Sequence, residues 1–155
     1  MKFTRSLALA AAAALFAGAL PAQDQATEAA IGARQAHMNL YAHNLGIVGG
    51  MARGNIPYDA EMAQTAAADL ALVAQVSQQA YWPEGSSVEA TDETRALPAI
   101  WENMEEFRGY ADQLVEAAMD LESVAGDGQE ALGAGLQGVG QACGGCHEDF
   151  RQEDE

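Results

Sequence analysis

Apolar residues recur at intervals of three, four and seven along most of the chain, the spacing that lines one face of an α-helix. A first stretch, from about Gln23 to Gly54, carries Ile31, Met38, Leu45, Val48 and Ala52 in this way. "GNIPYD" interrupts it, and Asp59 stands where an N-cap would open the next helix. That second helix places Met62, Ala66, Leu70, Val73 and Val76 on one side, until Pro83 and Gly85 of "YWPEGSS" end helical geometry. After a polar loop through "SSVEATDETR", Pro98 suits the first turn of a third helix. Its stripe of Ile100 or Trp101, Met104, Phe107, Ala111, Leu114, Ala118, Leu121 and Ala125 is the most regular in the chain. "GDG" at 126–128 is the next stop, and the last helix aligns Leu132, Leu136, Val139, Cys143, Cys146 and Phe150. No strand pattern and no repeat emerges. Four amphipathic helices with fairly short connections predict an all-α chain folded as an antiparallel four-helix bundle.

Composition changes the picture at the N-terminus. Lys2 and Arg5 precede the apolar run "LALAAAAALFAGAL", and "LPAQ" offers Ala22 as a cleavage point. Residues 1–22 thus read as a secretory signal peptide, and 23–155 as a single domain. The run falls short of the ~20 apolar residues a spanning helix needs, so no membrane insertion is expected. Removing 22 of the 155 residues leaves 133, with five arginines against 23 acidic residues and a net charge of −18. Such a body repels nucleic acid and anionic lipid. It would attract a basic protein partner, although solubility alone also explains the charge.

The last helix is rich in glycine. Gly133, Gly135, Gly138, Gly140, Gly144 and Gly145 all fall inside it, each at a cost of up to about 1 kcal/mol relative to alanine. Either a large flat ligand approaches the backbone there, or neighbouring helices do.

"CGGCHEDFR" supplies a ligand-binding chemistry. Cys143, Cys146 and His147 stand at i, i+3 and i+4, on adjoining parts of one helical face. Cys-x-x-Cys-His is the attachment pattern for haem c. Two thiols add across the two vinyl groups of the macrocycle, and the next imidazole projects to the iron as axial ligand. A thioredoxin-like dithiol wants a strand–helix context that the pattern lacks, and a zinc site would need His37 and His43 to complete it. A disulfide between the two cysteines, in a haem-free helical interaction module, is the reading from a different class. No nucleophile triad, phosphate loop or metal cluster is found, so no enzyme is expected.

"ARQAHM", "IPYDAE", "LPAIWENMEEFRGYA" and above all "VGQACGGCHEDFR" resemble the cytochrome c′ family over essentially the whole chain after residue 22. The resemblance implies a four-helix bundle carrying one covalent haem c, in a periplasmic one-electron carrier. It implies His147 as proximal ligand, and Met38, four residues after Arg34, as the residue facing the sixth position of the iron. The four-residue step puts Arg34 and Met38 on one helix face, so that Arg34 can pair with a haem propionate. The expected state is a five-coordinate, high-spin haem that binds nitric oxide or carbon monoxide. The alternative is a low-spin haem ligated by both His147 and Met38. By the same resemblance Gln35 contacts the haem, Arg95 is a further propionate partner and Arg151 lies beside the proximal imidazole. Trp82, Trp101, Phe107 and Phe150 are candidate walls of the haem site. His37 and His43 are expected at the surface or an interface. Family members pair through their first two helices, where Gly46, Gly49 and Gly50 would permit a homodimer, and redox proteins are the expected partners.

Overall fold

The computed structural model describes residues 20–153, with side chains from Asp24 onward. The expected signal segment lies outside the described residues up to position 19. Helix α1 spans Leu20–Ala52, α2 Ala60–Ala74, α3 Ala99–Glu102, α4 Met104–Val124 and α5 Gln129–Phe150, with a 3-10 turn at Gln79–Tyr81. The four long helices close a ring: α1 packs on α2 and α5, and α4 packs on α2 and α5. The chain is the expected all-α four-helix bundle. Among the described residues the only β pairing is one antiparallel bridge, Ala96 with Arg151. No helix among them is long and apolar enough to cross a membrane.

Asp59 caps α2 as its position predicts, its carboxylate accepting from Met62 N at 2.8 Å. α2 then departs from its expected stripe. It buries Ala63, Ala66, Ala67, Leu70, Ala71 and Ala74, while Met62 and Val76 stand about half exposed at 51% and 49%. Alanine lets α1 and α4 approach closely, so size rather than hydropathy chose the buried face.

α1 departs in a similar way. Its buried seam is Ile31, Arg34, His37, Tyr41, Asn44, Val48 and Met51, and Met38 lies at the seam's edge, 38% exposed. Three polar side chains occupy the seam because each meets a partner: Arg34 the polar loop, Asn44 the Leu40 carbonyl at 3.1 Å, and His37 the rings of Tyr41 and Tyr81. The burial of His37 within the chain's own bundle corrects its expected place at the surface or an interface, whereas His43 is exposed. Gly49 and Gly50 are also buried, under the chain's own Arg53 and Ile56, and Gly46 alone opens outward.

The third helix is broken. Asn103, with φ −129° and ψ 47°, separates α3 from α4, and its side-chain Nδ2 donates back to the Ala99 carbonyl at 3.3 Å. An asparagine that bonds its own backbone competes with helix continuation. Below the break, Leu114, Ala118, Leu121 and Ala125 are buried as expected.

Residues 82–98 form a strap across one end of the bundle. Within it Val88 N donates to Ala96 O at 2.9 Å, and it is joined to the end of α5 by Leu97 N to Phe150 O at 3.0 Å and Gln152 N to Arg95 O at 2.8 Å. At the opposite end, Tyr58 joins two turns: its hydroxyl donates to Ala125 O at 2.9 Å and accepts from Gly128 N at 3.0 Å.

Candidate functional site

Cys143, Cys146 and His147 lie on the C-terminal half of α5, at the strap end. Both cysteines are half-buried and free, and they bridge two apolar clusters. Cys143 packs on the main core beside Tyr41. Cys146 packs on a smaller group formed by Ala96, Ile100, Trp82, Phe107, Tyr110 and Phe150. Here edge-to-face contacts run from Trp82 to Phe107 (4.7 Å) and from Phe107 to Phe150 (5.4 Å). Burial pushes the Cys143 thiol up, and pushes Cys146 up to about 11 with help from Cys143 and Asp149. The pair therefore stays protonated at neutral pH and is protected from casual oxidation.

His147 reaches solvent. Desolvation of the imidazole, then the positive charges of Arg151 and Arg95, hold it below the usual histidine range. All three effects favour the neutral ring, which is the form that binds a metal.

The glycines of α5 divide into two sets. A Cβ on Gly135 would stand 3.0 Å from Leu121 and Val124, one on Gly138 3.2 Å from Ala117, and one on Gly145 2.7 Å from the Tyr110 ring. These serve the close approach of α4. Gly133, Gly140 and Gly144 face open space. With His147 and Arg151 they recur at three-, four- and seven-residue steps, so they share one stripe along the helix. On that stripe the α5 backbone is bare beside the imidazole.

The strap end adds unsatisfied polar groups. The buried Trp82 Nε1 has no hydrogen-bond partner, and neither has His37 Nε2; a buried donor left so costs about 1–3 kcal/mol. Arg34 is buried too, with its guanidinium carbon 4.7 Å from the centre of the Trp82 ring. Its described partners are all neutral: Nη1 donates to Tyr81 O at 3.2 Å and Ser86 Oγ at 2.9 Å, and Nη2 to Ser86 O and Thr94 Oγ1, both at 2.6 Å. A buried cation and an orphaned indole N–H call for an anionic acceptor nearby, which a haem propionate provides. Paired thiols, a neutral imidazole beside bare backbone, and these donors fit a c-type haem.

The remaining expected residues are placed as follows. Arg34 and Met38 sit one turn apart on α1, but all four Nη hydrogens of Arg34 go to the strap and its neighbour Tyr81, leaving Nε–H for any haem contact. Gln35 also bonds the strap, through Nε2 to Glu93 O at 2.6 Å. Arg95 donates from Nη2 to Gln152 O at 2.6 Å, and Arg151 N donates to His147 O at 3.2 Å. Trp101 is turned to the strap, its Nε1 donating to Trp82 O at 3.2 Å. Ser86 and Thr94 escaped the sequence reading, because a serine and a threonine in a polar loop carry no signal until the fold brings Arg34 to them. Among the described residues no group of three or more histidine, cysteine or acidic side chains is placed to hold a metal ion by itself.

Comparison with known proteins agrees with this geometry. The family model described as Cytochrome C' matches residues 29–151. The chain is 40% identical to a cytochrome c-554 of Cereibacter sphaeroides over 148 residues, covering 95% of this chain and 97% of that protein. The solved cytochrome c' of Rhodobacter sphaeroides superposes with a TM-score of 0.80 at 34% identity, over 83% of this chain and 98% of its own. A nitric oxide complex of a cytochrome c prime variant from Alcaligenes xylosoxidans superposes at 0.70 with 25% identity, over 83% and 97%.

Proposed function

The chain belongs to the cytochrome c′ family and carries a covalent c-type haem, and from that premise we propose a periplasmic one-electron carrier with His147 as proximal ligand. This replaces the haem-free module with a Cys143–Cys146 disulfide. In the proposal residues 1–22 are a cleaved export signal and residues 23–155 the working domain. The observation that carries it is the setting of Cys143, Cys146 and His147 on α5, where free thiols flank a neutral imidazole beside bare backbone.

Bound haem c exchanges one electron between ferric and ferrous iron and, with an open sixth position, takes up a small neutral gas. The chain's own residues do the rest. Cys143 and Cys146 hold the macrocycle permanently, which matters outside the cell, where free haem is lost by dilution. Desolvation first, then Arg151 and Arg95, disfavour a proton on His147, and as nearby cations the two arginines would favour the reduced iron. Arg34, buried and without an acidic partner among the described residues, would offer a positive charge to a haem propionate. No residue is given a substrate-converting role.

For the sixth position the first reading is an open site that binds nitric oxide or carbon monoxide, as the structural relative solved with nitric oxide suggests. The second reading is ligation by Met38, which lies 38% exposed at the edge of the α1 seam, one turn from Arg34. Absorption spectra of the purified holoprotein separate the two. An open site gives a high-spin ferric spectrum and carbon monoxide binding after reduction, both retained in Met38→Ala. A low-spin spectrum with a sulfur-to-iron band that Met38→Ala abolishes establishes the second. A colourless mature protein refutes both. The homodimer expected through α1 and α2 is part of the same proposal, with sedimentation as its measurement; of its three glycines only Gly46 faces outward.

A further inference from the structure

We infer that Arg34 is a positioning residue for the proximal side of the haem: by clamping the strap through Ser86 and Thr94, it holds Arg95 and Arg151 beside His147. The inference rests on His147 being the proximal ligand.

The contacts are continuous. Arg34 on α1 grips the strap at two points, Ser86 (Oγ and O, 2.9 and 2.6 Å) and Thr94 (Oγ1, 2.6 Å), and all three residues are buried. Gln35 adds a third grip at the Glu93 carbonyl. Thr94 Oγ1 also accepts from Ala96 N at 3.2 Å, which sets the strap's backbone where it meets α5. From there the antiparallel bridge pairs Ala96 with Arg151, flanked by Leu97 N to Phe150 O and Gln152 N to Arg95 O. Arg151 N closes the path on His147 O.

Two features make this more than adjacency. The Arg34–Thr94 contact is buried, so water cannot replace it cheaply when it is cut. Moreover, the strap carries charge to this place: Arg95 is part of it and joined to Gln152, and Arg151, paired to Ala96, stands one helical turn after His147 and donates its N–H to the His147 carbonyl. A loosened strap lets both guanidinium groups drift from His147. Positive charge near the iron disfavours the ferric state, so their withdrawal lowers the reduction potential.

Thr94→Val is the decisive variant. It removes the hydroxyl acceptor with almost no change in shape and leaves every charge in place. Arg34→Met removes clamp and charge together. In the holoprotein, both should speed backbone hydrogen exchange in segments 94–98 and 150–153 about tenfold, the order expected for losing one or two buried hydrogen bonds. Both should lower the reduction potential, Arg34→Met further. Wild-type exchange and potential in Thr94→Val, with only Arg34→Met shifted, would mean that Arg34 acts directly on the haem. Faster exchange at an unchanged potential in Thr94→Val would reduce the clamp to a structural role. Either result overturns the inference, as does no effect in either variant. If Arg34→Met fails to retain haem, Thr94→Val with Ser86→Ala carries the test alone. The proximal assignment fails separately, if His147→Gly holoprotein keeps the wild-type spectrum.

Discussion

Tyr41 is where the polar seam of α1 touches the haem-bearing helix. Its ring stands 4.7 Å from His37, its hydroxyl accepts from Gln78 at 3.3 Å, and it lies beside Cys143. Burial first, and the Cys143 charge second, push its phenol from 10.0 up to about 12. Only the second influence disappears when Cys143 becomes a thioether, so a rise remains in the holoprotein. Because the folded value is raised, the unfolded chain releases the proton first as pH climbs. Stability should therefore hold to about pH 10 and fall between 10 and 12. Tyr110, raised to about 12 by its 2.8 Å hydrogen bond to Asp149, contributes over the same window. Denaturant titrations of the holoprotein across pH 9–12 should show a shallower alkaline fall in Tyr41→Phe, by up to one proton. An unchanged slope in that variant would mean that Tyr41 ionises in the folded state as readily as in the unfolded one.

Among the elements, α5 makes the clearest division between packing and ligand. Gly135 and Gly133 differ by half a turn and face opposite needs. Gly133 lies fourteen residues, about 21 Å, along the helix from His147, and alanine there meets no protein atom within 4 Å, so it should stabilise the holoprotein by about 0.5–1 kcal/mol through helix propensity. Alanine at Gly135 would stand 3.0 Å from Leu121 Cδ1 and 3.2 Å from the Leu121 backbone. The backbone cannot step aside, so Gly135→Ala should destabilise by about 1–3 kcal/mol despite the same gain in propensity. Thermal unfolding of both variants checks the signs. The sequence alone showed that six glycines in one helix needed an explanation, but not which faced a neighbour, since that depends on how α4 is rotated. The four long helices and the haem-attachment group were legible because strict spacing carries both. Three features were not. The α1 seam was misread because hydropathy skips residues such as Arg34 and His37, whose burial depends on partners far away in sequence. The Asn103 break was hidden within an unbroken apolar stripe. The strap's grip on Arg34 joins residues 52 and 60 positions apart, and no local pattern encodes such contacts.

At the scale of the whole molecule the dominant quantity is charge. The full chain carries −16, and among the described residues its few cations are unevenly used: Arg34 is buried, while Arg95 and Arg151 attend His147. Exposed Asp92 and Glu93 on the strap, with Glu148, Asp149 and Glu153 at the end of α5, leave an acidic rim around that small positive centre. An approaching redox partner meets the field of the body first, since it acts over about 10 Å at 0.1 M salt, and the local arginines only at contact. Small inorganic reagents isolate this effect from protein recognition. Reduction of the ferric holoprotein by a cationic complex should slow as salt rises, because screening removes attraction. Reduction by an anionic complex of similar driving force should quicken, because the same screening removes repulsion. Stopped-flow rates over about 10–300 mM salt measure both, and the two slopes should have opposite sign. Equal slopes would locate electron entry away from the acidic rim. Slopes reversed in sign would mean that the positive centre around His147, rather than the net charge, governs the encounter.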